Sequence, residues 1–508
     1  MPVKIHVVSL PITELQDENP LPFFRAREDK AVTDGGLLPE ERDGFNWETG
    51  FRVLPYRIQD AYAPEFEERS IKTIVLENEF LRASFLPDYG GRLYSLWDKE
   101  KSREMLFSNP VLKMGNLALR NAWFSGGIEW NFGHFGHGFQ TCAPMFFNQL
   151  KDEAGNEFLR MYEFERCKRL FFQMDFHLPP GARHLTVHFR IMNTRNIDVP
   201  LFLWTNIAVR EEDGCRVFSG TEEVVILVEK PSENVRFLRH GKLPDPLDQG
   251  IDHTYPTNIH HAEEYFYQND ADQAWEAIVY PDGEMFYERS SGNYPYRKMF
   301  CWGAHEGGKR WQDFLSRPGE GAYLEIQSGL FRSQLHTGPI PAGETISITQ
   351  LFGGTDVNPA VKDRPYSESR AEIQNIVSGY LDETIVQNEH ERCLNLAQKP
   401  GGVPLHRGSG WGALEQRRDA GFVPVHLTFL SETITEEQAG WEWISLMEQS
   451  LSSNPDQPEL WTHLGIAAYE EKEYERAMEC WQKSLALRPV PLALRNLALL
   501  DVAKNDFE

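Results

Sequence analysis

From His184 to Thr194 the chain reads HLTVHFRIMNT. Apolar and polar residues alternate with a period of two, the mark of a strand with one face buried and the other not. EEVVILVEK (222–230) and ETISITQLF (344–352) repeat the pattern, and KTIVLENEFLRASFLP (72–87) gathers β-branched and aromatic residues into short runs. Turn sequences separate the runs: PDYGGR, DEAGNE, LPPGAR, PDGE and PAGE. Long helical periodicity is not evident before about residue 355. Many short strands in succession satisfy their backbone groups by pairing with each other, which predicts a large antiparallel sandwich or barrel.

After GGTDVNPAV the period changes. SESRAEIQNIVSGYLDETIVQNEHERCLNLAQK (367–399) has helical spacing and acidic caps. QKPGGVPLHRGSGWGALEQRRDAGF is a Gly/Pro-rich connection, and TEEQAGWEWISLMEQSLSSNP (435–455) is helical again. The stretch from Pro458 to Pro489 resembles a tetratricopeptide repeat: Trp461, Leu464 and Gly465 open one helix, Ala477 and Trp481 lie in the next, and Pro489 closes the unit. Small residues there let two helices approach while large ones fill the seam. Ala468 stands where a large residue is usual, with Tyr469 beside it. A lone repeat is rarely stable, so the repeat is expected to borrow the preceding helices or to continue in a longer protein. The organisation expected is a lead segment (1–50) packing on the sandwich, a β domain (51–355), a helical and Gly-rich connection (356–434) and tetratricopeptide-type helices (435–508).

A chain of 508 residues is too long for one ordinary core, in keeping with that division. The formal net charge is −25 with no basic run, which argues against a nucleic-acid partner. The start carries no apolar core of signal-peptide length, and no run is long enough to span a membrane. The six cysteines (Cys142, Cys167, Cys215, Cys301, Cys393, Cys480) are scattered without a CxxC, so neither a zinc ribbon nor a disulfide framework is indicated. A cytoplasmic protein without metal or cofactor is expected. Aromatic residues make up 12% of the chain, with 13 Trp. Beyond their share of the core, rings on a neutral-to-acidic protein suit sugar recognition, where C–H faces stack and hydroxyls need a few placed polar groups.

Three segments combine turn residues, polar groups and rings. GGIEWNFGHFGHGFQ (126–140) holds Glu129, Trp130, Asn131, His134 and His137, close after Trp123. FLWTNIAVREEDG (202–214) interrupts an apolar strand with Trp204 and Asn206. The segment from Lys298 to Glu344 offers His305, Trp311, Glu325, Gln327, Gln334 and His336. Each has a plain structural alternative: Glu129 bonding backbone amides in a tight loop, the tryptophans as core, Arg92 as a turn anchor. A metal held by Glu129, His134 and His137 lacks a further well-spaced ligand. Two carboxyls across one bond, one held protonated by desolvation and one held ionised by a cation such as Arg92, are what glycoside hydrolysis requires, and Glu129 and Glu325 are the candidates.

FLPDYGGRLYSLWDKEKSREMLF followed by YLEIQSG resembles the galactose-mutarotase-like superfamily, with its early Gly-rich turn and a late strand presenting a Glu. More closely, GGRLYSLWDK, GGIEWNF, LWTNIAV, the WG at 302–303, YLEIQSG, PAGE and GSGWGALE are similar to an uncharacterised bacterial domain that precedes tetratricopeptide arrays. The resemblance implies a β-supersandwich with a sugar-sized cleft on its concave face. In mutarotases a Glu acts as base and a His as acid, and Glu325 matches that base. No His transfers as readily: the strand expected to bear one carries Trp204 and Asn206, and the HGF at His137–Phe139 lacks the Arg that should follow.

These readings converge on a carbohydrate-active protein with catalytic Glu129 and Glu325. Arg92, Trp123, Trp130, Asn131, His134, His137, Trp204, Asn206, His305, Trp311, Gln327 and Gln334 are expected to bind a mono- or oligosaccharide. Glycoside hydrolysis is the first expectation. An aldose mutarotase or epimerase using Glu325 and a His is the second, and a non-catalytic sugar-binding module the third. The helical repeats are expected to bind a protein partner or to self-associate.

Overall fold

The computed structural model describes residues 3–19, 32–47, 56–132, 136–165, 167–168, 170–230, 235–408 and 441–504. Two large sheets dominate it. The first has 13 strands, ordered Lys4–Ile12, Glu67–Glu77, Leu81–Leu86, Arg92–Asp98, Ile128–Phe132, Leu203–Arg210, Tyr323–Gly329, Tyr296–Cys301, Glu263–Tyr267, Glu223–Lys230, Val235–Lys242 and Val32–Gly36, with Arg103–Glu104 beside Arg92–Asp98. The second has nine, ordered Arg216–Ser219, Trp275–Val279, Glu284–Ser290, Thr345–Asp356, His184–Met192, Leu170–His177, Glu157–Glu165, Phe146–Lys151 and Val403–His406.

The alternating segments form strands as expected. His184–Met192 pairs antiparallel with Thr345–Asp356, setting Val187 opposite Gln350 and Phe189 opposite Ile348. Leu185, Val187, Phe189 and Ile191 enter the core between the sheets, where they meet Ile128, Trp130, Ile207 and Ile326 of the first sheet. The lead segment does more than pack on this sandwich. Lys4–Ile12 pairs antiparallel with Glu67–Glu77 at one edge of the first sheet, and Val32–Gly36 runs parallel to Val235–Lys242 at the other.

Helices Tyr366–Tyr380 and Glu383–Ala397 follow the sandwich. Asp382 caps the second, its side chain accepting the Ile385 N–H at 2.7 Å. This helix ends over the outer face of the second sheet, where Arg160 donates to the carbonyls of Leu396 and Lys399. Part of the expected Gly/Pro-rich connection is a strand: Val403–His406 joins the edge beside Phe146–Lys151. Pro404 is tolerated there because an edge strand can spare one N–H.

The tetratricopeptide-type region begins with helix Trp441–Ser453 and continues through Pro458–Glu470, Tyr474–Leu487 and Pro491–Lys504. Gly465 is small for a definite reason: a Cβ there would lie 2.5 Å from Trp481 Nε1. That indole instead donates to Thr462 O at 3.0 Å, closing the seam. Tyr469 packs near Trp481, so a large side chain adjoins the small Ala468. The repeat does borrow neighbours. Ile444, Met447 and Leu451 pack with Leu460 and Leu464, and Phe164 and Phe171 of the second sheet join the same cluster. Among the described residues no helix is long and apolar enough to cross a membrane, and Cys142, Cys215, Cys301, Cys393 and Cys480 form no disulfide.

Candidate active site

Strand register decides which side chains meet. Ile128–Phe132 pairs with Leu203–Arg210, placing Glu129 opposite Asn206 and Asn131 opposite Trp204. The next strand sets Gln327 opposite Asn206 and Glu325 opposite Ala208. One strand further, Lys298 lies opposite Gln327 and Phe300 opposite Glu325. Side chains alternate between faces, so Glu129, Asn206, Glu325, Gln327, Lys298 and Phe300 share the face of the first sheet that points away from the core. Two strand spacings and a two-residue stagger separate Glu129 from Glu325, or about 12 Å between Cα atoms, with both side chains on one face.

Two glycines open the Glu129 strand. Gly126 has φ +102° and Gly127 φ +70°, and a Cβ on Gly127 would lie 2.4 Å from Leu93 O. Their smallness serves close backbone packing and the left-handed conformation. Arg92 ties the same turn, donating through Nη1 to Phe124 O at 3.1 Å and Gly126 O at 2.8 Å, and through Nη2 to Thr141 Oγ1 at 3.0 Å. It also lies 3.4 Å from Glu129 Oε2, so it is both turn anchor and counter-charge.

Among the described residues no backbone amide binds Glu129. Its Oε2 accepts from Trp123 Nε1 at 2.9 Å and lies 3.0 Å from His137 Nδ1. Burial by itself pushes this carboxyl up, but the charges of His137 and Arg92 and the two hydrogen bonds outweigh burial and hold it down at about 2. An ionised carboxylate only accepts, so His137 Nδ1 carries the hydrogen. Nε2 of His137 has no partner among the described residues, and the side chain is 20% exposed. Asn131 fixes the loop that bears it: its Oδ1 accepts the Gly138 N–H at 2.6 Å.

Glu325 is the opposite case. Burial raises its pKa, His137 and Lys298 oppose that rise, and the charge of Glu129 adds to it. Its Oε2 accepts from Gln327 Nε2 at 2.7 Å, and Gln327 Oε1 accepts from Gln334 Nε2 at 3.1 Å. This relay orients the carboxyl and leaves Oε1 without a hydrogen bond from the described residues. Lys298 is neutralised by Glu264 at 2.8 Å. Trp123, Ala208, Tyr323 and Trp302 form one apolar cluster with Phe300 packed on it, walling the Glu325 side. Glu129 Oε1, Asn206 Oδ1 and Asn131 Nδ2 are buried without hydrogen-bond partners among the described residues. Buried polar atoms in this state can be satisfied by a water or by a polar group of a ligand.

The remaining expected residues are placed as follows. Trp130 points into the core between the sheets, its ring 5.3 Å from Phe176, and does not reach the site. Trp204 is on the site face but fully covered, since a Cβ at Gly329 would touch its ring at 2.4 Å. It is floor rather than stacking surface. His305 caps the helix Glu306–Phe314, accepting the Gly308 N–H. His336 is a clamp: Nδ1 meets Ser333 Oγ at 2.6 Å and Nε2 meets Glu41 O at 2.8 Å. Trp311 stacks on Trp302 at 5.7 Å between centroids. His134 lies outside the described residues. Among those residues no group of three or more His, Cys, Asp or Glu is placed to hold a metal. Lys298, Phe300, Trp302 and Tyr323 were not anticipated. Alternation in KMFCW would have put Lys298, Phe300 and Trp302 on one face, but only pairing with Gln327 and Glu325 shows which face.

Fold and site together define a β-supersandwich that carries a buried acid–base constellation on one sheet and is followed by tetratricopeptide-type helices. The chain belongs to the family described as a domain of unknown function (DUF5107), which it matches over residues 50–340. Among solved structures it is similar to a TPR-domain containing protein from Parabacteroides distasonis, at 17% identity over 99% of this chain and 77% of that one, with a TM-score of 0.68. That likeness is one of fold and includes the helical region. A galactose mutarotase-like protein from Clostridium acetobutylicum is 13% identical over 56% of this chain and 96% of its own, at a TM-score of 0.40. A galactose mutarotase related enzyme from Lactobacillus acidophilus is 12% identical over 56% and 99%, at 0.36.

Proposed function

We propose that this protein is carbohydrate-active and that its site moves protons at the anomeric centre of an aldose, as a mutarotase or epimerase does. The observation that carries this reading is the pairing of His137 Nδ1 with Glu129 Oε2, which leaves Nε2 without a partner among the described residues, near the face that Glu325 shares. Glu325 takes the anomeric hydroxyl proton while His137 protonates the ring oxygen. The bond between C1 and the ring oxygen breaks, the open aldehyde turns, and the ring closes from its other side as both protons return. Burial makes Glu325 a stronger base once ionised, and the Glu129 carboxylate stabilises the imidazolium. Asn206, Gln327 and Gln334 supply amide partners for hydroxyls.

Glycoside hydrolysis is the second reading. It is favoured by the opposite shifts of the two carboxyls, Glu129 down and Glu325 up. Against it, Glu129 Oε2 already faces three donors, and Oε1 is buried. A nucleophile or water-activating base needs an open oxygen. Partner binding at the helical repeats rests on their tetratricopeptide type alone, since the contact described for them is with the chain's own second sheet.

The test is anomer exchange followed by NMR on a panel of aldoses, beside a panel of nitrophenyl glycosides, with Glu325→Gln as control. Accelerated exchange that falls by about 10³-fold in the variant is expected, within the usual range for a general acid–base residue. Glycoside cleavage without exchange would move the assignment to the hydrolase. Binding without either reaction would leave a sugar-binding module.

A further inference from the structure

We propose that the site takes an oligosaccharide and that the exposed ring of Trp311 holds a sugar unit beyond the one at Glu325, an inference that rests on the saccharide reading above. The helix Glu306–Phe314 is inserted between strand Tyr296–Cys301 and the strand of Glu325. It is a fixed platform. His305 caps its start, Leu315 is fully buried at its end, and Gln312 Nε2 donates to Tyr323 O at 3.2 Å, two residues from Glu325. Yet its outward side carries two large rings, Trp311 at 40% and Phe314 at 47% exposure.

These rings continue the wall of the site. Phe300 lies opposite Glu325 and meets Trp302 edge-on at 5.0 Å. Trp302 stacks on Trp311 at 5.7 Å with 19° between planes, and Trp311 meets Phe314 at 5.7 Å and 90°. Trp302 therefore takes part of the Trp311 ring, which stays 40% exposed. Two cations lie near the rings. Lys113 Nζ sits over Phe66 at 5.0 Å and Phe314 at 5.6 Å, and Arg310 pairs with Glu306. An exposed indole suits a flat C–H surface, which a pyranose unit presents. Its continuity with the Glu325 wall places that unit further along the same glycan than the reacting one.

The experiment is calorimetric binding of the full chain to glucose and galactose and to their α- and β-linked di-, tri- and tetrasaccharides. At least one series is expected to gain about tenfold in affinity from mono- to trisaccharide, and Trp311→Ala to collapse that ratio to within about twofold, while Trp311→Phe keeps most of it. Glu325→Gln should lose turnover and keep the ratio. A monosaccharide bound with no gain on lengthening overturns this inference and leaves the saccharide site standing. Binding of no saccharide overturns both. A change in sedimentation of Trp311→Ala with no effect on the ratio makes the ring a contact between copies and also overturns it.

Discussion

Each sheet carries a buried arginine–carboxylate pair on the face turned away from the common core, and the two pairs are built differently. On the second sheet Arg160 grips Asp175 with two bonds, Nε to Oδ1 and Nη2 to Oδ2, both 2.7 Å. The rest of its guanidinium is taken by carbonyls at the end of helix Glu383–Ala397. On the first sheet Arg92 reaches Glu129 at one point, 3.4 Å, and Glu129 divides a single oxygen among Trp123, His137 and Arg92. Its other oxygen has no hydrogen-bond partner among the described residues. The first arrangement spends its polar capacity on joining sheet to helix. The second holds a charge in place and passes its orienting effect to a histidine whose other nitrogen has no partner among the described residues.

Substitutions can break this contrast. Arg160→Ala should be the most damaging to stability, about 3–5 kcal/mol by urea unfolding, because it leaves Asp175 buried without its partner. Sugar binding by the folded fraction should be unchanged; if it is not, the two faces are coupled and the contrast fails. Glu129→Gln should cost about 3 kcal/mol near neutral pH, the worth of a carboxyl lowered from 4.5 to about 2. A depressed folded-state pKa stabilises above the unfolded value, and that contribution is lost as pH falls. The gap between wild type and variant should therefore be full above about pH 4.5 and close as pH falls toward about 2. A gap independent of pH in that window would mean the carboxylate is not held ionised.

His137→Gln should lower anomer exchange about 10²-fold, equivalent to about 2.7 kcal/mol, and cost less stability than Glu129→Gln, since Arg92 and Trp123 still face the carboxylate. An equal loss of stability would make His137 part of the scaffold. The smallest effect is expected from Gln334→Leu, which frees the amide that orients Glu325. A three- to tenfold loss of kcat with KM little changed, about 1 kcal/mol, would mark Gln334 as a positioning residue.

Much of this was legible in the chain itself. Alternation in HLTVHFRIMNT located a strand of the second sheet, and small residues at Gly465 and Ala477 against Trp481 located a helix pair. Both signals are local, written in the period of side chains along one element. The expectation that one carboxyl would be raised by burial and the other held ionised beside Arg92 matches the site. His137 was harder to assign, because its tie to Glu129 eight residues away depends on the path of a loop. Trp130 and Glu129 are neighbours in sequence and face opposite sides of one sheet, so composition could not separate the core ring from the site acid. The smallness of Gly127 serves the backbone of Leu93, a packing partner distant in sequence.

By itself the sequence determined that this chain would be a large antiparallel β domain followed by tetratricopeptide-type helices, and it marked Glu129 and Glu325 as groups to be compared. Periodicity and turn chemistry suffice for that, since they depend on residues close along the chain. Tertiary structure decided that Asn206, Gln327, Lys298 and Phe300 lie between or beside those two carboxyls, and that Trp302 carries the wall outward to Trp311. Register, and the water each carboxyl loses, depend on strands far apart in sequence, and no local pattern encodes either one.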